Sequence, residues 1–327
     1  MSTSFPLHDV IVSQYLNEGD TVSSVIEING YSINSKNYKL VSSKGEKESI
    51  HVKIIYNYNP DVIKRVEIFR KCFEKGVKVA QIFYTKEGES FVKGSDYLII
   101  CFYYYDGISY SGEEVERISA AKELGRLNRS LSDIKTYIPR NRLYEPLSDS
   151  EFSEIERTCK RDNQFDKEVL RYLDLLQEMS QKISTSHYSG DSSNGLTFLE
   201  YIDYHPGNVL FRGGNVLAIV DFDSICSVPR RSSVAFATDR FSSDIKQMID
   251  FIRAYRKTDN DLTEEDIVKF PDLIIYEAMS RINYILRSYY FLSSDVWNFD
   301  YQKHLNIITK TLASKENFLQ TVYEKFS

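Results

Sequence analysis

Residues 197–225, TFLEYIDYHPGNVLFRGGNVLAIVDFDSI, constrain this chain more than any other stretch. Two short apolar runs, Leu196 to Ile202 and Val216 to Val220, bracket a polar segment that carries Asp203, His205 and Asn208. The second run then delivers an acidic pair, Asp221 and Asp223. Runs of this length read as strands, so the polar groups fall on a loop and the acids at the end of the strand that follows. Phosphoryl transfer draws on such an assortment: a carboxylate to orient a nucleophilic hydroxyl, and an amide with a second carboxylate to hold Mg²⁺ against nucleotide phosphates. Asp, Pro, Gly and Asn are also what ordinary turns select, so Asp203 to Asn208 alone reads equally well as a turn. Asp221, arriving one strand later, tips the balance towards chemistry.

The spacing has a wider parallel. Asp203 and Asn208 stand as D-x-x-x-x-N, the catalytic-loop spacing of protein kinases, and Asp221-Phe222-Asp223 stands where those enzymes have D-F-G. The stretch resembles the aminoglycoside phosphotransferase and choline kinase type of small-molecule kinases, whose loop reads H-G-D-x-H-x-x-N and whose metal strand reads I-D-F/W. Tyr201 and Ile202 replace the usual His and Gly. The resemblance implies an α+β, bilobal, protein-kinase-like fold. A small N-lobe, residues 1–105, would hold an antiparallel sheet with one main helix and bind nucleotide. A larger, mostly helical C-lobe, residues 106–327, would carry catalysis and the acceptor. Asp203 would be catalytic, Asn208 and Asp221 would bind Mg²⁺, ATP or GTP would be the donor, and Asp223 would be a second metal contact or a structural acid.

Length and charge are compatible with this reading. At 327 residues the chain can bury two cores. A formal net charge of -6 argues against nucleic acid or an anionic membrane as the main partner, since both need a basic field. Cys72, Cys101, Cys159 and Cys226 lack C-x-x-C spacing and sit among apolar residues, as reduced core thiols do. The first twenty residues lack a basic segment followed by an apolar core, and no apolar run reaches spanning length. The expectation is a cytoplasmic protein.

In the N-terminal part, Val22–Ile28, Asn37–Ser42 and Ser49–Tyr56 read as strands after a short helix over 5–17. By resemblance the connection 29–37, containing Ser35, would lie over the nucleotide phosphates, although a plain hairpin loop explains it as well. In Val52-Lys53-Ile54 the lysine is flanked by aliphatics and matches the V-A-I-K lysine by position, a candidate for the α- and β-phosphates. An exposed edge lysine is the alternative. A helix follows, with Asn59 and Pro60 at its start, Val62, Val66, Phe69 and Cys72 inward and Gly76 as stop. It carries Glu67, the partner that the resemblance assigns to Lys53, although Lys64 and Lys71 are within helical reach. Val77–Tyr84 and Tyr97–Tyr103 complete a five-stranded antiparallel sheet. Backbone groups at Phe102, Tyr103 and Tyr104 would then meet the nucleobase by resemblance, while an aromatic strand in a core explains the same residues.

Beyond Gly112 the pattern turns helical. Val115, Ile118, Ala121, Leu124, Leu127 and Leu131 form one stripe, and Ala121–Asn128 is similar to the family's A-x-x-L-G-x-L-H helix, Asn128 replacing His. Lys167–Ile183 reads as a second long helix. After Asp223 there is no A-P-E and no long activation segment. Where relatives carry D-L-A this chain has Ser233-Val234-Ala235, for which Asp239 is a candidate substitute. Helices follow over 243–255, 271–290 and 301–326. Together these features lead to a Mg²⁺-dependent phosphotransferase acting on a hydroxyl of a small molecule such as an aminoglycoside, sugar or amino alcohol. A silent nucleotide-binding kinase-like protein and an atypical protein kinase are the alternatives.

Overall fold

The computed structural model describes residues 7–17, 21–28, 34–43, 45–159, 162–185, 197–295 and 298–326. In chain order these form α1 (Leu7–Gln14), β1 (Val22–Ile28), β2 (Ser35–Ser42), β3 (Gly45–Tyr56), α2 (Asp61–Glu74), β4 (Val92–Lys93), β5 (Tyr97–Tyr103) and α3 (Glu114–Ser132). After a short 3-10 turn at Arg142–Tyr144 come α4 (Asp149–Thr158), α5 (Gln164–Thr185), β6 (Thr197–Tyr201), β7 (Val209–Arg212), β8 (Asn215–Ile219) and β9 (Ile225–Pro229). The chain ends in α6 (Ser232–Arg240), α7 (Ile245–Arg256), α8 (Glu264–Val268), α9 (Phe270–Leu292) and α10 (Asn298–Phe326). The architecture is an antiparallel sheet in the N-terminal part and a helical C-terminal part, as the kinase-like reading requires.

Two compact units divide the chain: Met1–Glu123 with Pro206–Asp223, and Leu124–His205 with Ser224–Ser327. In the first, the sheet order is β1-β2-β3-β5-β4, every pair antiparallel. β3 lies between β2 and β5, and its core residues Val52 and Ile54 pack with Ile99, Cys101 and Leu40 beneath α1. The helix α2 buries Val62, Val66, Phe69 and Cys72, the stripe its spacing predicts.

One expected strand is absent. Val77–Tyr84 is extended but not a regular strand, because its hydrogen bonds are shared between two partners. Ala80 N–H donates to Ile219 O at 2.8 Å, while Phe83 N–H donates to Cys101 O at 2.8 Å. The fifth strand is instead the two-residue β4.

In the second unit β6 pairs antiparallel with β9, and α9 packs against α6 and α10. Gly125 in α3 allows a close approach to α7 and the turn after it, since a Cβ there would meet Tyr255 O at 3.1 Å and collide with Thr258 Oγ1. The α3 stripe is buried from Ala121 to Leu131, but Val115 in its first turn is exposed. All four cysteines are buried and unbridged. Among the described residues no helix is long and apolar enough to cross a membrane.

Candidate active site

Lys53 sits on the central strand β3, in register with Asn37 on β2 and Ile100 on β5. That placement rules out the edge-strand reading and leaves its side chain only 6% exposed. The ammonium donates to Asp221 Oδ1 at 2.7 Å and to Asp223 Oδ2 at 2.6 Å, and stands 5.3 Å from the centre of the Phe222 ring. Burial alone would drive a lysine towards neutrality, but Asp221 and Asp223 outweigh it and hold the ammonium above its ordinary range. Burial pushes the Asp223 carboxyl up, against the opposing pull of Lys53.

The hairpin β7–β8 delivers both acids. Val209 pairs with Ile219, and Val220 N–H donates to Asn208 O at 2.9 Å. Asn208 therefore stands opposite the residue that precedes Asp221. At Asp221 the backbone turns through φ +64°, a left-handed conformation that few side chains adopt and Asp tolerates comparatively well. The turn releases the chain from β8 and buries Phe222 against Phe69 and Phe102, at ring distances of 6.0 and 5.9 Å. The aromatic core thus fixes the residue between the two acids.

Other expected residues are placed as follows. Glu67 accepts from Arg70 Nε at 2.9 Å, and Arg70 also reaches Glu74. The expected Lys53–Glu67 pair is thus replaced by Lys53 with the two aspartates, which come to it from a neighbouring hairpin while Glu67 finds a cation on its own helix. Ser35 opens β2, buried, its Oγ without a hydrogen-bond partner. Residues 29–33 of the expected phosphate loop lie outside the described residues. Phe102 belongs to the aromatic core, whereas the backbone N–H groups of Tyr103 and Tyr104 donate to Gln81 O and Ser49 O, both at 3.0 Å.

In the second unit Asp203 follows β6, whose last residue, Tyr201, is fully buried and meets Tyr204 edge-on at 6.3 Å. Tyr201 thus fills the position of the usual His with apolar bulk behind the loop. Arg281 of α9 donates through Nη2 to Asp203 Oδ1 at 2.8 Å and to Ile202 O at 3.2 Å. His205 Nε2 lies 3.6 Å from Asp203 Oδ2. Burial would raise this carboxyl, but Arg281 and His205 prevail and keep it well below the usual carboxylate range. Asp203 is thus a fixed anion that accepts hydrogen bonds and does not store a proton near neutrality.

The second unit also supports its loop in a way that sequence reasoning missed. Glu200, beside Tyr201 on β6, accepts N–H bonds from Arg231 at 2.6 Å and Ser233 at 2.7 Å, capping α6 with both carboxylate oxygens. Asp239, the candidate substitute for the missing acid, faces Lys310 at 3.9 Å instead. Arg281 was equally hidden. Its one signal is charge in an apolar setting: Glu277 and Arg281 are four apart on a helix that otherwise buries mostly uncharged residues. Glu277 itself holds Arg140 at 2.7 Å.

Mg²⁺ fits the donors of the first unit. Asp223 Oδ1 is buried without a hydrogen-bond partner, and Asp221 and Asn208 supply oxygen ligands of the hard type the ion prefers. No cluster of three or more His, Cys, Asp or Glu able to hold a metal occurs among the described residues. A cation here would complete its shell with nucleotide phosphates, as Mg²⁺ commonly does.

Comparisons with known proteins bear on the family and the fold. The sequence profile of the phosphotransferase enzyme family matches residues 74–266. Among solved structures the chain is similar to spectinomycin phosphotransferase in complex with ADP and spectinomycin, at 16% identity and TM-score 0.66, over 94% of this chain and 97% of that one. It is similar to an aminoglycoside phosphotransferase from Alicyclobacillus acidocaldarius at 14% identity and TM-score 0.63, over 97% and 96% of the two chains. Choline kinase from Cryptosporidium parvum follows at 13% identity and TM-score 0.57, over 94% and 92%. At such identities the likeness speaks for the fold. No curated protein sequence matches.

Proposed function

We propose, for a chain that belongs to the phosphotransferase enzyme family and is a small-molecule kinase with an alcohol group as acceptor, that it moves the γ-phosphate of ATP or GTP with the help of Mg²⁺. In this reading residues 1–105 form the nucleotide lobe, residues 106–327 carry catalysis and acceptor binding, and the protein works in the cytoplasm. Lys53 contacts the α- and β-phosphates, with Ser35 at the start of β2 beside them. Asn208 and Asp221 hold the metal, which neutralises charge on the transferred group. Asp203, a stable anion, accepts a hydrogen bond from the acceptor hydroxyl and aligns its oxygen with the γ-phosphorus. Positioning and charge neutralisation supply most of the rate, since the protein has little covalent chemistry to perform.

The observation that carries this reading is the buried Lys53 ammonium spanning Asp221 and Asp223 at the end of a hairpin whose first strand begins beside Asn208. The test is Asp203→Asn. With Mg²⁺ and nucleotide it should keep the thermal shift of the parent protein while turnover falls by at least about 100-fold. Full turnover in that variant defeats the assignment.

A further inference from the structure

The second unit gathers an excess of positive charge beside Asp203. Arg281 lies 5.0 Å from the centre of the buried Phe236 ring, and Arg240, the last residue of α6, lies 5.8 Å from the centre of the same ring. From α10, Lys303 and His304 complete the group; His304 is buried, and the charges of Arg281, Lys303 and Arg240 all act on it. Three acids are nearby, and each has a cation of its own. Asp203 is held by Arg281 at 2.8 Å, Asp300 by Lys303 at 3.2 Å and Asp239 by Lys310 at 3.9 Å.

Arg240 is left over. Among the described residues no carboxylate lies within ion-pair distance of its guanidinium, and the group is half-buried. Two further polar atoms in the cluster, Arg281 Nε and His304 Nδ1, are buried with no hydrogen-bond partner. Burial and the repulsion of neighbouring cations lower the proton affinity of Arg240, Lys303 and His304, prevailing over the attraction of Asp203, Asp239 and Asp300. A protein does not gather like charges around unsatisfied polar atoms without cost, and an anion arriving there repays it.

We infer that the acceptor carries an oxyanion, a carboxylate or a phosphate ester, in addition to the hydroxyl that is phosphorylated, and that Arg240, with Lys303 and His304, receives that oxyanion. This rests on the phosphotransfer reading above and narrows its substrate class. A quaternary ammonium or a polyamine would meet like charge at this place. In the reaction the acceptor oxygen bonds to the γ-phosphorus and its proton is released to water. The bond from that phosphorus to the β–γ bridging oxygen breaks, and the electron pair leaves with the nucleoside diphosphate.

The full-length protein with Mg²⁺ and ATP or GTP should be offered matched acceptors: glycerate against glycerol, gluconate against glucose, glucose 6-phosphate against glucose, with choline and kanamycin as cations. Nucleoside diphosphate release and the mass of the product are read for each. At least one anionic member should exceed its neutral partner in kcat/KM by tenfold or more, and the pair that does so separates carboxylate from phosphate ester. Arg240→Gln should erase that preference through KM, with the nucleotide thermal shift retained as proof of folding; Lys303→Gln should weaken it. Preference for a neutral or cationic acceptor, or a preference unchanged in both variants, overturns the inference. If nothing in the panel reacts, inorganic phosphate decides: stabilisation of the parent protein that is lost in Arg240→Gln supports it, and equal effects on both overturn it. Absence of any nucleotide shift or hydrolysis in the parent protein overturns the phosphotransfer reading itself, and this inference with it.

Discussion

Arg281 holds Asp203 through a single 2.8 Å bond, across 78 residues of sequence. The arginine carries two consequences for that carboxylate, orientation and charge. Arg281→Met removes both and leaves a buried acid with less compensation, so the Asp203 carboxyl rises from its depressed position. The acid limb of kcat/KM against pH should move to higher pH, and kcat at neutral pH should fall about 10- to 100-fold. A pH–rate profile of the variant checks both.

Lys53 offers a separate test through stability. Its removal in Lys53→Met leaves Asp221 and Asp223 facing one another, but both acids are more than a third exposed and are partly screened by water. The loss should be modest, about 1–2 kcal/mol, whereas nucleotide-dependent stabilisation should disappear. Urea unfolding with and without Mg²⁺-nucleotide separates the two effects.

His51 predicts the pH dependence of folding. Burial, reinforced by the neighbouring Lys53 charge, lowers its imidazole to about 4 from 6.5. The folded state therefore keeps it neutral while the unfolded chain takes up a proton. Stability is fully present above about pH 6.5 and falls as pH drops towards 4, by about 3 kcal/mol from this group. His51→Gln should remove that part of the slope, as measured by unfolding at pH 7 and pH 4.5.

Two departures from the family pattern turn out to touch. Asn128 Nδ2 donates to Ser233 Oγ at 3.0 Å and to the Tyr255 hydroxyl at 3.0 Å, all within the second unit. A neutral pair occupies the positions where relatives have His and Asp. Ser233→Asp alone should destabilise by burying an extra acid beside Glu200, which already holds the Ser233 N–H. Adding Asn128→His should recover part of the loss, with a coupling energy of about 1 kcal/mol or more in a double-mutant cycle.

What could be read from sequence follows from what is local. Asp203, Asn208 and Asp221 lie on one loop and the hairpin after it, so spacing alone orders them; Lys53 was marked by aliphatic neighbours on a strand. The partners of these groups come from far along the chain and left no spacing to detect. The resemblance points to Glu67 on the nearby helix as the partner of Lys53, yet the acids that reach the ammonium are 168 and 170 residues away. Arg240, Arg281 and His304 are on three different helices, and only packing brings their charges together. Val77–Tyr84 has the composition of a strand, but composition does not reveal that two neighbours compete for its backbone.

The first unit is assembled from two separated pieces of chain, since Val79 bridges to Ile219 and the acids of Lys53 arrive after residue 220. During synthesis the sheet emerges early, with its lysine ammonium already destined for the interior but its counter-ions still unmade. About a hundred residues must be translated before that unit can close. A fragment ending at Glu123 should consequently be a poor folder, and a ribosome stalled between the two pieces holds a sheet whose apolar surface lacks part of its cover, the kind of surface that chaperones engage.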